Sequence, residues 1–408
     1  MDSVLPRVLV VAAMAFPLTA LAQDFAEPIP VEAPSGFQEI PGTGSGAQDL
    51  GYDALTRDFL DGLSYQIGTS LFYDSNVTNG SGLPGSPEID DTAFSVSPSI
   101  AYRTQGSEWW FAGNLGGSYA AYFDNSNFNA SSYRMGLSGG YKGAHLSVTG
   151  NVGMGHQEGA NRYAGAYVEE DTFNAGINAS YSISPKTSLR SSLTYSKREG
   201  GAFVSETEET RFDLSALWKA TPLLRVGPGI GWSYSDGARQ VDRSAVRPSL
   251  NASYQLAKKV SMTTSLGVEF VEYGGVGGSD TTFSGSLGLN YQANAIWGLN
   301  LQFYSGTQAD GYTPGAYRET TSVRLGYHHK IRRAMFNAGV RWESSDLKRP
   351  AGGAILGSSQ DYFGFDASLG IPVFSERAFG SLFYQWSDQD GVRSFQRNVV
   401  GVSLTSRF

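Results

Sequence analysis

The residues in this 408-residue chain whose types could do chemistry are few. Gly136-Leu137-Ser138-Gly139-Gly140 matches the G-x-S-x-G pattern of a serine nucleophile, and His145 follows it across a predicted hairpin on the same face. A nucleophile elbow needs a strained strand-to-helix turn, whereas this stretch alternates like a strand and has no acid nearby to orient the histidine. His328-His329 lies at a predicted short turn, and adjacent strand residues point to opposite faces, so the two share no metal. Asp388-Gln389-Asp390-Gly391 begins like a calcium loop but lacks the later ligands, and it reads as a solvated loop. Gly274-Gly275-Val276-Gly277-Gly278 has no helix after it to hold a phosphate. With no cysteine, neither a disulfide nor a thiolate site is available. The motifs therefore predict no catalytic residue, cofactor or metal.

The elements around these residues are read from composition first. Charged residues make up only 17% of the chain, while Gly reaches 51, Tyr 22 and Phe 23. That profile suits strands. No run approaches the roughly 20 apolar residues of a membrane helix. A transmembrane barrel escapes this requirement because only alternate residues face lipid. The net charge of −8, without a Lys/Arg run, argues against a nucleic-acid partner.

The N-terminus reads as an export signal. Arg7 precedes the apolar stretch Val8 to Phe16, and Ala20-Leu21-Ala22 supplies small residues before a cut ahead of Gln23. Residues 23–62 follow as a Pro-, Gly- and acid-rich periplasmic segment too polar to bury a core, either a plain tether to the first strand or an arm whose Tyr52, Leu55, Phe59 and Leu60 order on a partner. The barrel is expected over 63–408.

Within that region Tyr65-Ile67-Thr69-Leu71-Tyr73, Phe173-Ala175-Ile177-Ala179-Tyr181 and Phe283-Gly285-Leu287-Leu289-Tyr291 each share one parity, with Asn, Ser, Gly and Gln between them. Aromatic residues recur eight apart on one face: Tyr65 and Tyr73, Phe94 and Tyr102, Tyr133 and Tyr141, Phe173 and Tyr181, Phe283 and Tyr291. Eight residues rise about 27 Å along a strand, or roughly 20 Å along the axis of a tilted barrel, close to the apolar band that aromatic girdles bracket. Short connections near residues 105, 142, 184, 221, 258, 294, 330 and 375 alternate with longer ones near 77–90, 123–130, 157–168, 198–206, 236–241, 274–280, 308–316, 345–360 and 388–393. This predicts an all-β fold, an antiparallel up-and-down transmembrane barrel of about 18 strands, with 16 as the alternative and both termini periplasmic.

The alternation puts Arg103, Arg134, Arg190, Arg211, Arg225, Arg247, Arg324, Arg341 and Arg407 toward the lumen, with Asp213, Glu269 and Asp366 among few acids. Asn114, Asn174, Asn178, Asn251, Asn290, Asn300 and Asn337 point the same way, as do Trp110, Tyr122 and Tyr304. Facing lipid at mid-bilayer costs an Arg or Lys about 2–4 kcal/mol, so inward placement follows from physics alone. The excess of inward arginine over acid implies that the chain's negative charge collects in the loops and the N-terminal segment.

Val400, Val402, Leu404 and Phe408 share one face of the last strand, which resembles the C-terminal recognition strand read by the barrel-assembly machinery, with Ser406 as a departure. The first strand ends Leu71-Phe72-Tyr73-Asp74-Ser75-Asn76-Val77, and this heptapeptide resembles the β-barrel porin-2 family, whose members often accompany exopolysaccharide synthesis and export genes. The resemblance implies a large barrel in the Gram-negative outer membrane that lets a secreted polysaccharide out, served by a periplasmic export partner docking on residues 23–62. A passive porin for small anionic or neutral solutes is the alternative, with residues 76–90 and 345–360 as candidate constriction loops. A barrel enzyme is disfavoured by the motifs above. The segment before the barrel is too short for the folded plug of a 22-stranded transporter.

Overall fold

The computed structural model describes residues 62–408 except 82–85, 202, 239–240, 258, 275–277, 295, 314, 350–353, 376 and 392. The expected export signal, the segment 23–61 and the middle of the Gly274–Gly278 stretch lie outside the described residues.

The strands are β1 Gly62–Asp74, β2 Asp91–Gln105, β3 Trp109–Tyr122, β4 Ala130–Lys142, β5 Leu146–Asn161, β6 Ala166–Ser184, β7 Thr187–Gly200, β8 Thr207–Lys219 and β9 Leu224–Asp236. They continue as β10 Arg243–Ala257, β11 Val260–Tyr273, β12 Ser279–Gln292, β13 Trp297–Ala309, β14 Tyr317–Ile331, β15 Ala334–Lys348, β16 Ala354–Ser375, β17 Ala378–Gly391 and β18 Phe395–Arg407. Each pairs antiparallel with its sequence neighbour, and β18 pairs with β1 to close an 18-stranded barrel. Closure removes the edge strands that would otherwise expose unpaired backbone groups to lipid.

The alternation works as the sequence predicts. Tyr65, Tyr73, Phe94, Tyr102, Tyr133 and Phe283 are exposed on the outer surface, together with Leu71, Leu115, Ile177, Leu250 and Leu382. This apolar belt, bracketed by aromatics, is the surface of an outer-membrane barrel. At the seam, the Tyr65 and Phe408 rings stack at 5.3 Å, and the Phe408 N–H donates to the Tyr65 carbonyl at 2.9 Å. Val400, Val402 and Leu404 face outward along the same strand. β1 begins and β18 ends at the same, short-turn end of the barrel.

Three connections differ from the expectation. The loop placed at 157–168 shrinks to the tip between Asn161 and Ala166, and β16 and β17 run into the segments placed as loops at 345–360 and 388–393. These hairpins keep pairing beyond the apolar belt, where the strict apolar–polar alternation that marks a lipid-facing strand breaks down. Asp388-Gln389-Asp390-Gly391 is accordingly strand, with Gln389 directed inward and 1% exposed.

Candidate functional site: a constriction across the lumen

The constriction starts from the turn Asn161-Arg162-Tyr163-Ala164-Gly165. The Asn161 side-chain oxygen accepts the backbone N–H groups of Tyr163 (2.9 Å) and Ala164 (3.1 Å). Gly165, at φ +59°, closes the turn in a left-handed conformation that favours glycine. Gly159, at φ +154°, stands in β5 just before it, paired in register with Val168. The tip points inward. Arg162 and Tyr163 are 2% and 4% exposed, which an outer loop in water cannot be.

Their partner is on the opposite wall. Glu343 of β15 accepts hydrogen bonds from Arg162 Nη2 at 2.6 Å and from the Tyr163 hydroxyl at 2.5 Å. In a closed circuit of 18 strands β15 is as far from β6 as any strand can be. At about 4.8 Å between strands tilted near 40°, such a barrel is about 35 Å across, so only a hairpin folded through the lumen makes this contact. Arg341 adds a second cation to Glu343 at 2.9 Å. The Arg162 guanidinium lies 4.0 Å from the Tyr362 ring centre and Arg318 lies 4.2 Å from that of Tyr163. Arg393 donates to the Tyr163 carbonyl, which ties the tip to the β17–β18 connection.

A second hairpin reaches in from the other side. Between β13 and β14, Asp310 pairs with Arg318 at 3.1 Å. The Tyr312 hydroxyl donates to Glu170 of β6 at 2.8 Å and accepts from the Asn161 amide at 2.9 Å. Arg198 of β7 approaches Glu170 at 3.2 Å, and the Ser205 N–H donates to the Gly311 carbonyl at 2.7 Å. The two hairpins touch through Tyr163 and Tyr312, whose rings are 6.1 Å apart. Burial pushes the Tyr163 phenol up to about 12, so it stays protonated and donates to Glu343 across the ordinary pH range.

The sequence-derived lumen residues all lie on the inward face but fall into two groups. In the outer half, Arg341 joins Glu343, Arg211 pairs with Glu209 (2.9 Å) and Glu269 pairs with Arg243 (2.9 Å). Arg247 and Asp213, nearer the middle, pair at 2.6 Å. Arg134, Arg324 and Asp366 also lie near mid-barrel. Toward the short-turn end the inward positions carry Arg103, Lys142, Arg190, Lys219, Arg225, Lys330 and Arg407. Among the described strand residues no Asp or Glu faces inward there. Lys219 and Arg225 are in register on neighbouring strands, and Arg190 acts on Arg225 as a nearby like charge. Around them Gly, Ser, Thr and Asn leave the wall thin, forming a wide basic vestibule under a narrow, charge-paired constriction.

Other sequence expectations resolve simply. Ser138 pairs with Asn151, six residues along β5 from His145 and so roughly 20 Å away; the two do not meet. His145 instead contacts the Ser182 carbonyl through Nδ1 at 3.2 Å. His328 faces inward and His329 outward, where its Nδ1 meets the Tyr327 hydroxyl at 2.7 Å. Of the candidate constriction loops, the described part of 76–90 holds to its own wall. Asn76, 1% exposed, donates to the Gly80 and Gln396 carbonyls, and Arg397 makes a buried pair with Asp74. The Tyr73-Asp74-Ser75-Asn76 motif is thus a clamp between β1 and β18. Residues 345–360 lend Ser345 and Gln360 as acceptors for Arg318 at 3.1 Å, but the crossing itself is made by the β5–β6 and β13–β14 hairpins. Arg162, Glu343, Arg318 and Tyr312 were not singled out from sequence. The available signal was a tight Asn-x-x-x-Gly turn carrying Arg and Tyr, residues suited to a packed tip.

No family model matches this chain, so the likeness to the porin-2 family stays at the level of the heptapeptide. Outer membrane protein P1 of Haemophilus influenzae is similar over 178 residues at 23% identity, which is 41% of this chain and 37% of that protein. The match thus spans little more than a third of the relative's length. Among solved structures, OpdK of Pseudomonas aeruginosa, in a crystal structure with vanillate, aligns with 85% of this chain and 99% of its own at a TM-score of 0.44 and 10% identity. The siderophore receptor PirA of the same species aligns with 85% of this chain and 80% of its own at 0.42 and 10%. OccAB3 of Acinetobacter baumannii aligns over 85% and 100% at 0.43 and 10%. The barrel assignment rests on this chain's own strand pairing.

Proposed function

We propose that this outer-membrane barrel is a passive diffusion channel for small anionic or neutral hydrophilic solutes. The supporting observation is the contact of Arg162 and Tyr163 with Glu343 halfway round the barrel, which narrows an otherwise wide lumen to gaps beside two packed hairpins. Export of a polysaccharide, the function implied by the porin-2 resemblance, requires a bulky polymer to pass the same level. That passage would break several buried ion pairs, each costing about 3–5 kcal/mol when one partner is lost. Small solutes need no such rearrangement. The sign of the selectivity comes from the vestibule, where the inward-facing charges of the described strand residues are Lys and Arg and raise the local anion concentration in a low-dielectric wall.

Flux into liposomes tests this reading. Vesicles bearing the barrel are expected to admit small carboxylates and neutral sugars faster than size-matched organic cations, and to exclude dextrans. Equal entry of cations, or free passage of dextrans, contradicts it; the second result restores polymer export.

A further inference from the structure

The constriction hairpin carries an unrelated group of ligand-type side chains at its base, on the outer surface of the barrel. His156 and Glu158 lie two apart on β5 and so share a face. Across the pair, His156 is opposite Asp171 and Glu158 is opposite Glu169. The ligand atoms of His156, Glu158 and Glu169 lie within 4.8 Å of one another.

The geometry points to a site for one divalent transition-metal ion of the zinc class, held by His156, Glu158 and Glu169, with Asp171 as the positioning residue. The histidine is already aimed. Its Nδ1 meets Asp171 Oδ1 at 2.9 Å, and a proton held there leaves the Nε2 lone pair facing the two glutamates, the carboxylate–histidine arrangement that orients metal-binding imidazoles. The ring is also held by stacking on Tyr133 at 5.0 Å and 10°. One glutamate is half-committed. Ser131 donates to Glu158 Oε2 from its backbone N–H (2.9 Å) and hydroxyl (2.8 Å), leaving Oε1 3.6 Å from His156 Nε2. Two ligands on a tetrahedral ion with bonds of about 2.0 Å are about 3.3 Å apart, so that edge is nearly formed. Glu169 is exposed and can swing the remaining distance.

A cation also answers an electrostatic problem. Glu158 directly opposite Glu169 is a like-charge cross-strand pair, which is destabilising without a counter-ion, and Asp171 faces a further acid, Glu199, on β7. A nitrogen with two carboxylates suits a borderline ion better than calcium or magnesium, which favour all-oxygen shells. The bland account is that a protonated His156 supplies the positive charge alone. The position gives the metal a consequence: Glu158 and Glu169 face each other across β5 and β6 just before the turn that reaches Glu343, so the ion staples the base of the element that narrows the lumen.

The test is a titration of the purified, chelator-stripped barrel in detergent with cobalt(II), read by its visible absorption, and with zinc by calorimetry. One ion per chain is expected, with affinity at least tenfold weaker in His156→Ala, His156→Asn and Glu158→Gln, each shown folded by its heat-modifiable band. Glu199→Gln, which removes a neighbouring charge but no ligand, is expected to bind within twofold of the parent. Absence of saturable binding in the parent chain overturns the assignment. So does binding by the two His156 variants as tight as the parent's, or a tenfold loss in Glu199→Gln, which would mark general attraction to an acidic surface.

Discussion

In the outer half of the lumen arginine stands against carboxylate: Arg162 and Arg341 on Glu343, Arg318 on Asp310, Arg243 on Glu269, Arg397 on Asp74. Most of these side chains are all but sealed from solvent. In the inner half Lys142, Arg190, Lys219 and Arg225 line a thin wall of small residues with no inward acid among the described strand positions. The same residue type does two jobs. Paired and buried, it is a fastener whose field is cancelled locally and whose loss is costly. Clustered with other cations along an open wall, it adds to a potential that reaches well beyond its own contacts. The outer half should therefore control how much passes and the inner half which sign of charge passes.

The largest expected effect comes from Glu343→Ala, which strips Arg162, Arg341 and the Tyr163 hydroxyl of one shared acceptor. Leaving such charges buried costs about 3–5 kcal/mol. The hairpin should leave its seat, single-channel conductance should rise severalfold, and the barrel band should convert to its unfolded form at a lower temperature. An unchanged conductance would mean the hairpin does not limit flow.

Next in size is Arg190→Gln combined with Arg225→Gln. Conductance should change little while the reversal potential in a salt gradient moves toward zero. The shift should be clear in dilute salt and fade near 1 M, where screening acts within about 3 Å. A change in conductance without a change in selectivity would reverse the roles assigned to the two halves.

The smallest effect belongs to Tyr163. Burial raises its phenol from an ordinary 10.0 to about 12. A group whose pKa is higher in the folded state gives stability that is full below the unfolded value and is lost as pH rises through the folded one. Conductance should therefore show no step from this group below about pH 10 and should increase between there and 12; Tyr163→Phe should remove that alkaline step.

The sequence made one of these regions far more legible than the other. Lipid imposes strict alternation on every strand and aromatics at both interfaces, so Tyr65 and Tyr73 or Phe283 and Tyr291 reveal the wall, its parity and hence the inward arginines of the vestibule. The constriction obeys no such rule. Arg162 and Glu343 are 181 residues apart in the chain, and beyond the apolar belt the strict alternation breaks down, so 157–168 carries the pattern of an ordinary outer loop. His156 carries no signal in the sequence for a related reason: its partners Glu169 and Asp171 become neighbours only through the β5–β6 register.

The division of labour is tested most directly by replacing Arg162–Gly165 with a two-residue Asn-Gly turn, which shortens the hairpin without touching the wall, and measuring conductance and reversal potential of the same channels in planar bilayers. The account predicts a severalfold larger conductance with anion preference retained. Unchanged conductance, or loss of the anion preference together with the hairpin, would contradict it.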